Sequence, residues 1–115
     1  MKFTLKDAKK FGWEGLEGWA YNSKEDFPNA SGAYFKVTGR HGKIKTTESD
    51  RIYFVVDGEG EFIIDDEVIP VEKTDVVIIP KNTPYDYRAK NGVLELFLVH
   101  TPAFAPGSEV KLEEG

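Results

Sequence analysis

The chain has 115 residues, enough for one domain with a modest hydrophobic core. It carries 15 basic and 20 acidic residues, a formal net charge of −5, and no cysteine. The acidic balance argues against a nucleic-acid partner, and the lack of cysteine excludes disulfides and thiolate metal sites. No apolar run approaches the roughly 18 residues of a membrane span, so we expect no membrane partner. The first residues lack the apolar stretch of a signal peptide, which predicts a cytoplasmic protein.

Residues 1–30 are predicted to form an irregular, extended N-terminal arm. Between Phe11 and Tyr21, large apolar side chains alternate with glycines, and a polar loop follows. Two interpretations of Trp13, Trp19 and Tyr21 stay open. These side chains either cover the open end of a larger body and shape a pocket, or they cover a sheet or a partner subunit.

From Gly32 onward, short β-prone runs follow one another at a spacing of roughly ten residues, which predicts a sandwich or a barrel. The predicted strands are 33–38, 43–47, 51–56, 61–64, 68–71, 76–79, 85–88 and 93–101. Residues 57–60 and the pair Asn91-Gly92 are predicted turns, the second of them a two-residue hairpin. The charged tail, residues 107–115, is expected to fray.

Two motifs within residues 32–102 resemble those of small single-domain cupins. The first runs from Arg51 to Gly60 (RIYFVVDGEG), and the second runs from Thr74 to Tyr85 (TDVVIIPKNTPY). The resemblance implies an all-β fold, a double-stranded β-helix or jelly-roll barrel. It divides the chain into an arm (1–30), a cupin barrel (31–106) and a C-terminal tail (107–115) within a single domain.

The residues at the family's metal positions are not metal ligands. Cupins that bind a metal use two histidines and a glutamate of the first motif and a histidine of the second. Arg51 stands at the glutamate position and Tyr85 at the second-motif histidine. The two remaining positions are occupied by Lys45 and Thr47 or, with a gap one residue longer, by Ile44 and Thr46. Because a cation would also meet repulsion from Arg51, we expect no metal and no cofactor.

The resemblance also sets which side chains point into the barrel, because side chains alternate between the two faces of a strand. By this register Glu95, Phe97 and Val99 face inward on the last strand. The predicted ligand-binding residues are Lys45, Thr47, Arg51, Tyr53, Tyr85 and Tyr87, and the candidate catalytic residues are Tyr85, Tyr53 and Glu95. Two interpretations of Arg51 stay open. It either pairs with Glu95 and the tyrosine hydroxyls in a closed network, or it binds an anion together with Lys45 in an open pocket.

Neither histidine is predicted to be catalytic. His41 lies in a Gly-Arg-His-Gly turn that we expect to be exposed, and His100 is expected to face outward or to lie at an interface. Ile52, Phe54 and Val56 form an apolar stripe on the outer face of the same strand as Arg51. A monomer rarely exposes such a stripe, so we expect a two-fold symmetric homodimer.

The resemblance leaves three classes of function. The first is a metal-independent cupin that binds a small anionic or sugar-like molecule without catalysis. The second is a metal-independent isomerase, epimerase or lyase on a carbohydrate-like substrate, with Tyr85 or Tyr53 as the acid and Glu95 or Lys45 as the base. The third, a metal-dependent dioxygenase or isomerase, is disfavoured because its ligands are missing.

Overall fold

Nine strands follow one another in a computed structural model that describes residues 1–112. They are β1 (Lys9–Trp13), β2 (Leu16–Ala20), β3 (Ser31–Val37), β4 (Ile44–Thr46), β5 (Asp50–Ile64), β6 (Glu67–Glu72), β7 (Val76–Ile79), β8 (Tyr85–Thr101) and β9 (Glu109–Lys111). A short 3-10 helix, Leu5–Asp7, precedes β1, and the Thr4 hydroxyl accepts a hydrogen bond from the Asp7 amide at its start. Within residues 1–112, no helix is long and apolar enough to cross a membrane.

The long antiparallel pair of β5 and β8 organises the barrel. The pairing runs from Asp50 opposite Thr101 to Ile64 opposite Tyr85. On its other edge, β5 pairs first with β7 and then with β6, while β8 pairs with β3 and with β4. The sheet therefore curls around one interior, and the predicted all-β jelly-roll barrel is confirmed.

The two segments predicted as turns, residues 57–60 and Asn91-Gly92, are not turns. They lie opposite each other across β5 and β8, where the register of the pair is irregular. Asp57 lies opposite Glu95, and Glu59, two residues further along β5, already lies opposite Lys90. The extra residues of β8 include Asn91 and Gly92, which adopt left-handed conformations with φ of 61° and 114°. Such a bulge bends the paired strands and shifts which residues of β8 point inward.

The bulge explains why the predicted inner face of the last strand is wrong. Before the bulge, Tyr85 and Tyr87 point inward, as the resemblance implied. After it, the even-numbered residues are buried (Leu94, Leu96, Leu98 and His100). Glu95, Phe97 and Val99, which the sequence placed inside, are only partly buried on the opposite face.

The inner face of β4 also differs from the prediction. Ile44 and Thr46 are buried, whereas Lys45 is partly exposed and Thr47 is exposed. The gap between the first-motif positions is therefore the longer of the two that the sequence allowed. Lys45 and Thr47 do not share the barrel interior with Arg51.

The first 30 residues contain a hairpin rather than an irregular arm. β1 pairs with β2, and β2 pairs with β3, so the hairpin extends the main sheet. The alternation of aromatic residues and glycines has a packing reason. The Phe11 ring lies over Gly18, where an added Cβ would come within 2.4 Å of it, and meets Phe35 edge-on at 5.6 Å.

The tail also contains regular structure, since β9 pairs with β4 with Val110 opposite Lys45. The Leu112 amide continues this contact by donating to the Lys43 carbonyl. The prediction of a frayed tail is therefore wrong as far as residue 112. Residues 113–115 lie outside the described part of the chain.

Candidate functional site

A cavity of about 420 Å³ lies at the end of the barrel where β5 begins and β8 ends. One wall is aromatic and comes from the N-terminal hairpin and β3, with Phe11, Trp13 and Phe35. Another part of the wall comes from the C-terminal segment, with Phe104, Pro106 and Glu109. The cavity is also lined by three buried side chains that carry chemistry, His41, Arg51 and His100, and by three exposed charged ones, Lys9, Lys24 and Glu25.

Arg51 is buried at the base of this cavity with only 1% of its surface exposed. Its Nη1 donates to the Tyr85 hydroxyl and, at 3.4 Å, to the Tyr53 hydroxyl, and its Nη2 donates to Glu109 Oε2 at 2.7 Å. Burial acts to lower the pKa of Arg51, but Tyr53, Tyr85 and Glu109 outweigh it and raise the pKa above its ordinary value. The guanidinium is therefore a permanent cation whose charge is balanced by one carboxylate.

Behind Arg51 lies a cluster of buried aromatic side chains formed by Tyr53, Tyr85, Tyr87 and Phe62. The Tyr53 and Tyr85 hydroxyls are 2.7 Å apart. Burial raises the pKa of Tyr85 and of Tyr87, so both remain protonated phenols at neutral pH. Of the predicted ligand-binding residues, Arg51 lines the cavity. Tyr53 and Tyr85 bond to Arg51 from behind, and the Tyr87 hydroxyl is buried without a hydrogen-bond partner within residues 1–112.

His41 is buried, contrary to the prediction of an exposed turn. Its ring meets the Trp13 ring edge-on with centroids 5.4 Å apart, and it lies 4.8 Å from the Tyr87 ring. The loop is fixed to β8 because the His41 amide donates to the Tyr87 carbonyl at 2.8 Å and the Gly42 amide donates to Asp86 Oδ1 at 2.8 Å. No sequence signal distinguished this pinned loop from a solvated one.

The hydrogen bonding of His41 suits it to accept a proton. Its Nδ1 lies 2.9 Å from the Gly42 carbonyl oxygen, which can only accept, so the hydrogen sits on Nδ1 and Nε2 keeps a lone pair. Burial lowers the pKa of His41, and the nearby Arg51 charge acts in the same direction. A neutral imidazole with a free Nε2 beside a cavity is a candidate general base.

His100 is buried as well, because the bulge in β8 turns it inward. It is the direct cross-strand partner of Arg51, and its ring packs 5.3 Å from the Phe104 ring. Burial, followed by the Arg51 charge, lowers its pKa to about 3. At neutral pH, His100 is therefore an uncharged hydrogen-bonding group and not an acid or a base.

The acid that balances the charge of Arg51 is Glu109. One interpretation of the sequence paired Arg51 with Glu95, and that pairing is not present. Glu95 lies on the other face of β8, where it accepts a hydrogen bond from the Tyr34 hydroxyl. Burial and this carboxylate raise the pKa of Tyr34 to about 12. Nothing in the sequence pointed to Glu109, because it lies 58 positions from Arg51 in a segment without a β signal.

The family's metal does not fit these residues. Among residues 1–112, no group of three or more histidine, aspartate and glutamate side chains is placed to hold an ion. At two of the four family positions stand Arg51 and Tyr85, which are hydrogen-bonded to each other. A cation and a phenol thus take the place where an ion would be coordinated.

Comparison with known proteins gives a family and a set of similar structures. A family model described as a cupin domain matches residues 35–100. A search of curated proteins found no match. The oxalate decarboxylase of Bacillus subtilis shares the fold, with a TM-score of 0.83 and 18% identity over 96% of this chain and 32% of that chain.

The barrel is also similar to Pac13, described as a unique nucleoside dehydratase, with a TM-score of 0.87 and 27% identity over 98% of this chain and 91% of that chain. Streptomyces Pac13 has also been solved with uridine, and the variant in which a histidine is changed to glutamine is 26% identical over 97% of this chain and 90% of that chain, with a TM-score of 0.87. Two other uridine structures have one of two tyrosines changed to phenylalanine.

Proposed function

Because this chain belongs to the cupin family, we propose that it is a metal-independent lyase that binds a nucleoside-like molecule in its barrel cavity and eliminates water from the sugar. The observation that carries the proposal is His41, a buried and neutral imidazole on the cavity wall with its Nε2 lone pair free. The likeness to a nucleoside dehydratase over nearly the whole of both chains supports the same reaction class.

The cavity favours a neutral ligand with one aromatic and one polar end. Its aromatic wall, with Phe11, Trp13 and Phe35, offers ring faces and edges to a planar base. Its buried charges cancel, because Arg51 is paired with Glu109 and both histidines are neutral, while Lys9, Lys24 and Glu25 are exposed at its rim. A volume of about 420 Å³ lies in the range of small-molecule sites. We therefore propose a nucleoside-like ligand rather than the small anion that the sequence also allowed.

Elimination of water needs one group that accepts a proton and returns it. His41 Nε2 takes a proton from a sugar carbon, the electrons of that C–H bond form a double bond to the neighbouring carbon, and the C–O bond at that neighbour breaks. The leaving hydroxyl departs as water after it receives the proton from the His41 imidazolium. Because a sugar C–H is acidic enough only beside a carbonyl group, the substrate is expected to be a nucleoside with an oxidised sugar.

The positions varied in Pac13 support the assignment of residues. Its two varied tyrosines are the same number of positions apart as Tyr53 and Tyr87, and its varied histidine precedes them at nearly the spacing of His41. In this chain, Tyr87 packs against the His41 ring, and Tyr53 bonds to Arg51. We propose that both tyrosines are positioning residues, since neither lines the cavity.

The proposal is tested by binding and by product analysis. Isothermal titration calorimetry with uridine measures binding, and mass spectrometry of nucleosides with oxidised sugars detects the loss of one water. We expect wild type to do both and His41→Gln to bind uridine but form no product, while the exposed control Glu48→Gln behaves as wild type. A wild-type protein that fails to bind uridine, or that releases no water from any member of the panel, would contradict the proposal.

A second candidate function, binding without catalysis, is favoured by the hydrogen bonds that Arg51 already makes to neighbouring side chains. Tyr53, Tyr85 and Glu109 already bond to Arg51, and among the described residues His41 is the one buried side chain on the cavity wall that suits proton transfer. Uridine binding without product from any oxidised nucleoside would support this candidate over the lyase.

A further inference from the structure

We propose that Glu109, Arg51 and His100 form a subsite that recognises the vicinal hydroxyl pair of a ribose-type sugar. The inference rests on the proposed function, because it names the part of the nucleoside-like ligand that this end of the cavity holds. It also gives the C-terminal strand, which the sequence marked as a frayed tail, a direct role in binding.

The three side chains come from three strands and meet on one side of the cavity. Arg51 (β5) and His100 (β8) lie opposite each other across the antiparallel pair. Glu109 (β9) reaches Arg51 through its Oε2 atom, and its side chain is 28% exposed, against 2% for that of Arg51. The carboxylate therefore stands at the cavity surface with the guanidinium buried beneath it.

Each of the three groups has hydrogen-bonding capacity that the described residues leave unused. Glu109 accepts from Arg51 through Oε2, and no residue in the range 1–112 donates to its Oε1. Arg51 Nε and His100 Nε2 are buried and have no hydrogen-bond partner within the same range. Both nitrogens belong to side chains that line the cavity, and buried polar atoms are satisfied in the great majority of cases, so this side of the cavity has unused polar capacity next to Glu109.

An acceptor beside a buried guanidinium and a neutral imidazole matches the chemistry of adjacent hydroxyl groups. A hydroxyl can donate to the free carboxylate oxygen and accept from an Arg or His nitrogen at the same time. Carboxylates recognise ribose hydroxyls in this way at dinucleotide sites. A phosphate or carboxylate ligand would instead be repelled by Glu109, which separates this subsite from an anion site.

The position of the subsite agrees with the role of His41. The charges of Glu109 and Arg51 both influence the pKa of His41, and all three side chains line the same cavity. A sugar held by Glu109 therefore lies beside His41, with its base directed to the aromatic wall of Phe11 and Trp13.

The test compares uridine with 2′-deoxyuridine and 3′-deoxyuridine by isothermal titration calorimetry. We expect wild type to bind uridine about tenfold or more tightly than either deoxy compound, because each loses a hydroxyl that a charged group contacts. Glu109→Gln is expected to weaken uridine binding by a similar factor and to remove the preference. The matched control is Glu25→Gln, which loses a carboxylate on the rim of the same cavity and should keep the preference.

Equal affinity of wild type for the three nucleosides would overturn the subsite and leave the proposed function standing. Failure of wild type to bind any of them would overturn the proposed function itself. The comparison of ligands on the unchanged protein needs no variant, so it decides the matter even where Glu109→Gln fails to fold.

Discussion

Arg51 Nη2 lies 2.7 Å from Glu109 Oε2, so the cation buried at the base of the barrel is balanced by a residue of the last strand. The pair joins residues that are 58 positions apart. It fastens the C-terminal segment over the cavity, and it leaves the interior with little net charge.

Removing this carboxylate is expected to destabilise the fold. Glu109→Ala leaves the Arg51 guanidinium buried without its charge partner, and we expect a loss of about 3 kcal/mol in the free energy of unfolding, at the lower end for a broken buried pair because Glu109 is partly solvated. Urea denaturation measures it. The control is Glu17→Ala, which breaks the exposed pair with Lys10 and should cost less than about 1 kcal/mol. Equal effects of the two changes would contradict the buried pairing.

His100 is expected to make the protein less stable in acid. Its pKa is about 3 in the folded protein, below the ordinary value of 6.5. Between these two pH values, His100 is protonated in the unfolded chain but not in the folded protein, so acid favours unfolding. The contribution of neutral His100 to the free energy of unfolding is complete above about pH 6.5 and is lost as the pH falls towards 3. His41, with its lowered pKa, acts in the same direction.

His100→Gln tests this contribution, since glutamine does not titrate in that range. Urea denaturation at several pH values should give a variant whose stability falls less steeply than that of wild type between pH 6.5 and 4. Parallel stability curves would show that His100 is protonated at its ordinary pKa in the folded protein.

Gly58 is expected to tolerate no side chain. Its φ of 86° is left-handed, and an added Cβ would lie 2.1 Å from the Val93 carbonyl oxygen across the bulge. Gly107 is the matched control, because its φ is 87° and nothing lies within 4 Å of an added Cβ. Gly107→Ala should therefore cost only the strain of about 1–2 kcal/mol, whereas Gly58→Ala should cost at least about 2 kcal/mol more. Similar thermal unfolding midpoints for the two variants would contradict the close approach.

The outer face of β5 and β7 is expected to form a homodimer interface, as the apolar stripe predicted. Phe54 and Val76 are cross-strand partners, as are Ile52 and Ile78, and the side chains of Phe54, Val76 and Ile78 are exposed. We expect a dimer by light scattering after size exclusion, and a monomer for Ile78→Glu. Val68→Glu, at an exposed position of β6, should remain dimeric. A wild-type monomer at high concentration would remove this proposal.

The sequence predicted the part of the site that a strand register controls. Arg51 and Tyr53 alternate inward on β5, and Tyr85 and Tyr87 do so on the first half of β8, because the two motifs anchor these strands. The prediction failed on β8 after Asn91-Gly92, since this pair is also the strongest signal for a hairpin, and a turn and a bulge call for the same left-handed residues. His100 was therefore assigned to the wrong face.

The other missing members of the site depend on contacts that no local pattern encodes. His41 is held inside by backbone bonds from its loop to Tyr87 and Asp86, which are more than 40 positions away. Glu109 lies on a three-residue strand that pairs with β4. Both residues belong to segments that look solvated until the tertiary structure is known.

The bulge opposite Gly58 also makes the register of β8 sensitive to changes in the length of the strand. Deleting one residue near Asn91 would keep the chain paired with β5. It would exchange the inward-facing and outward-facing residues in the second half of β8. Leucines would then meet water while a glutamate and a phenylalanine were forced into the leucines' places, and the imidazole beside Arg51 would leave the cavity. Insertions and deletions are tolerated in most loops, but at this position they are expected to prevent folding.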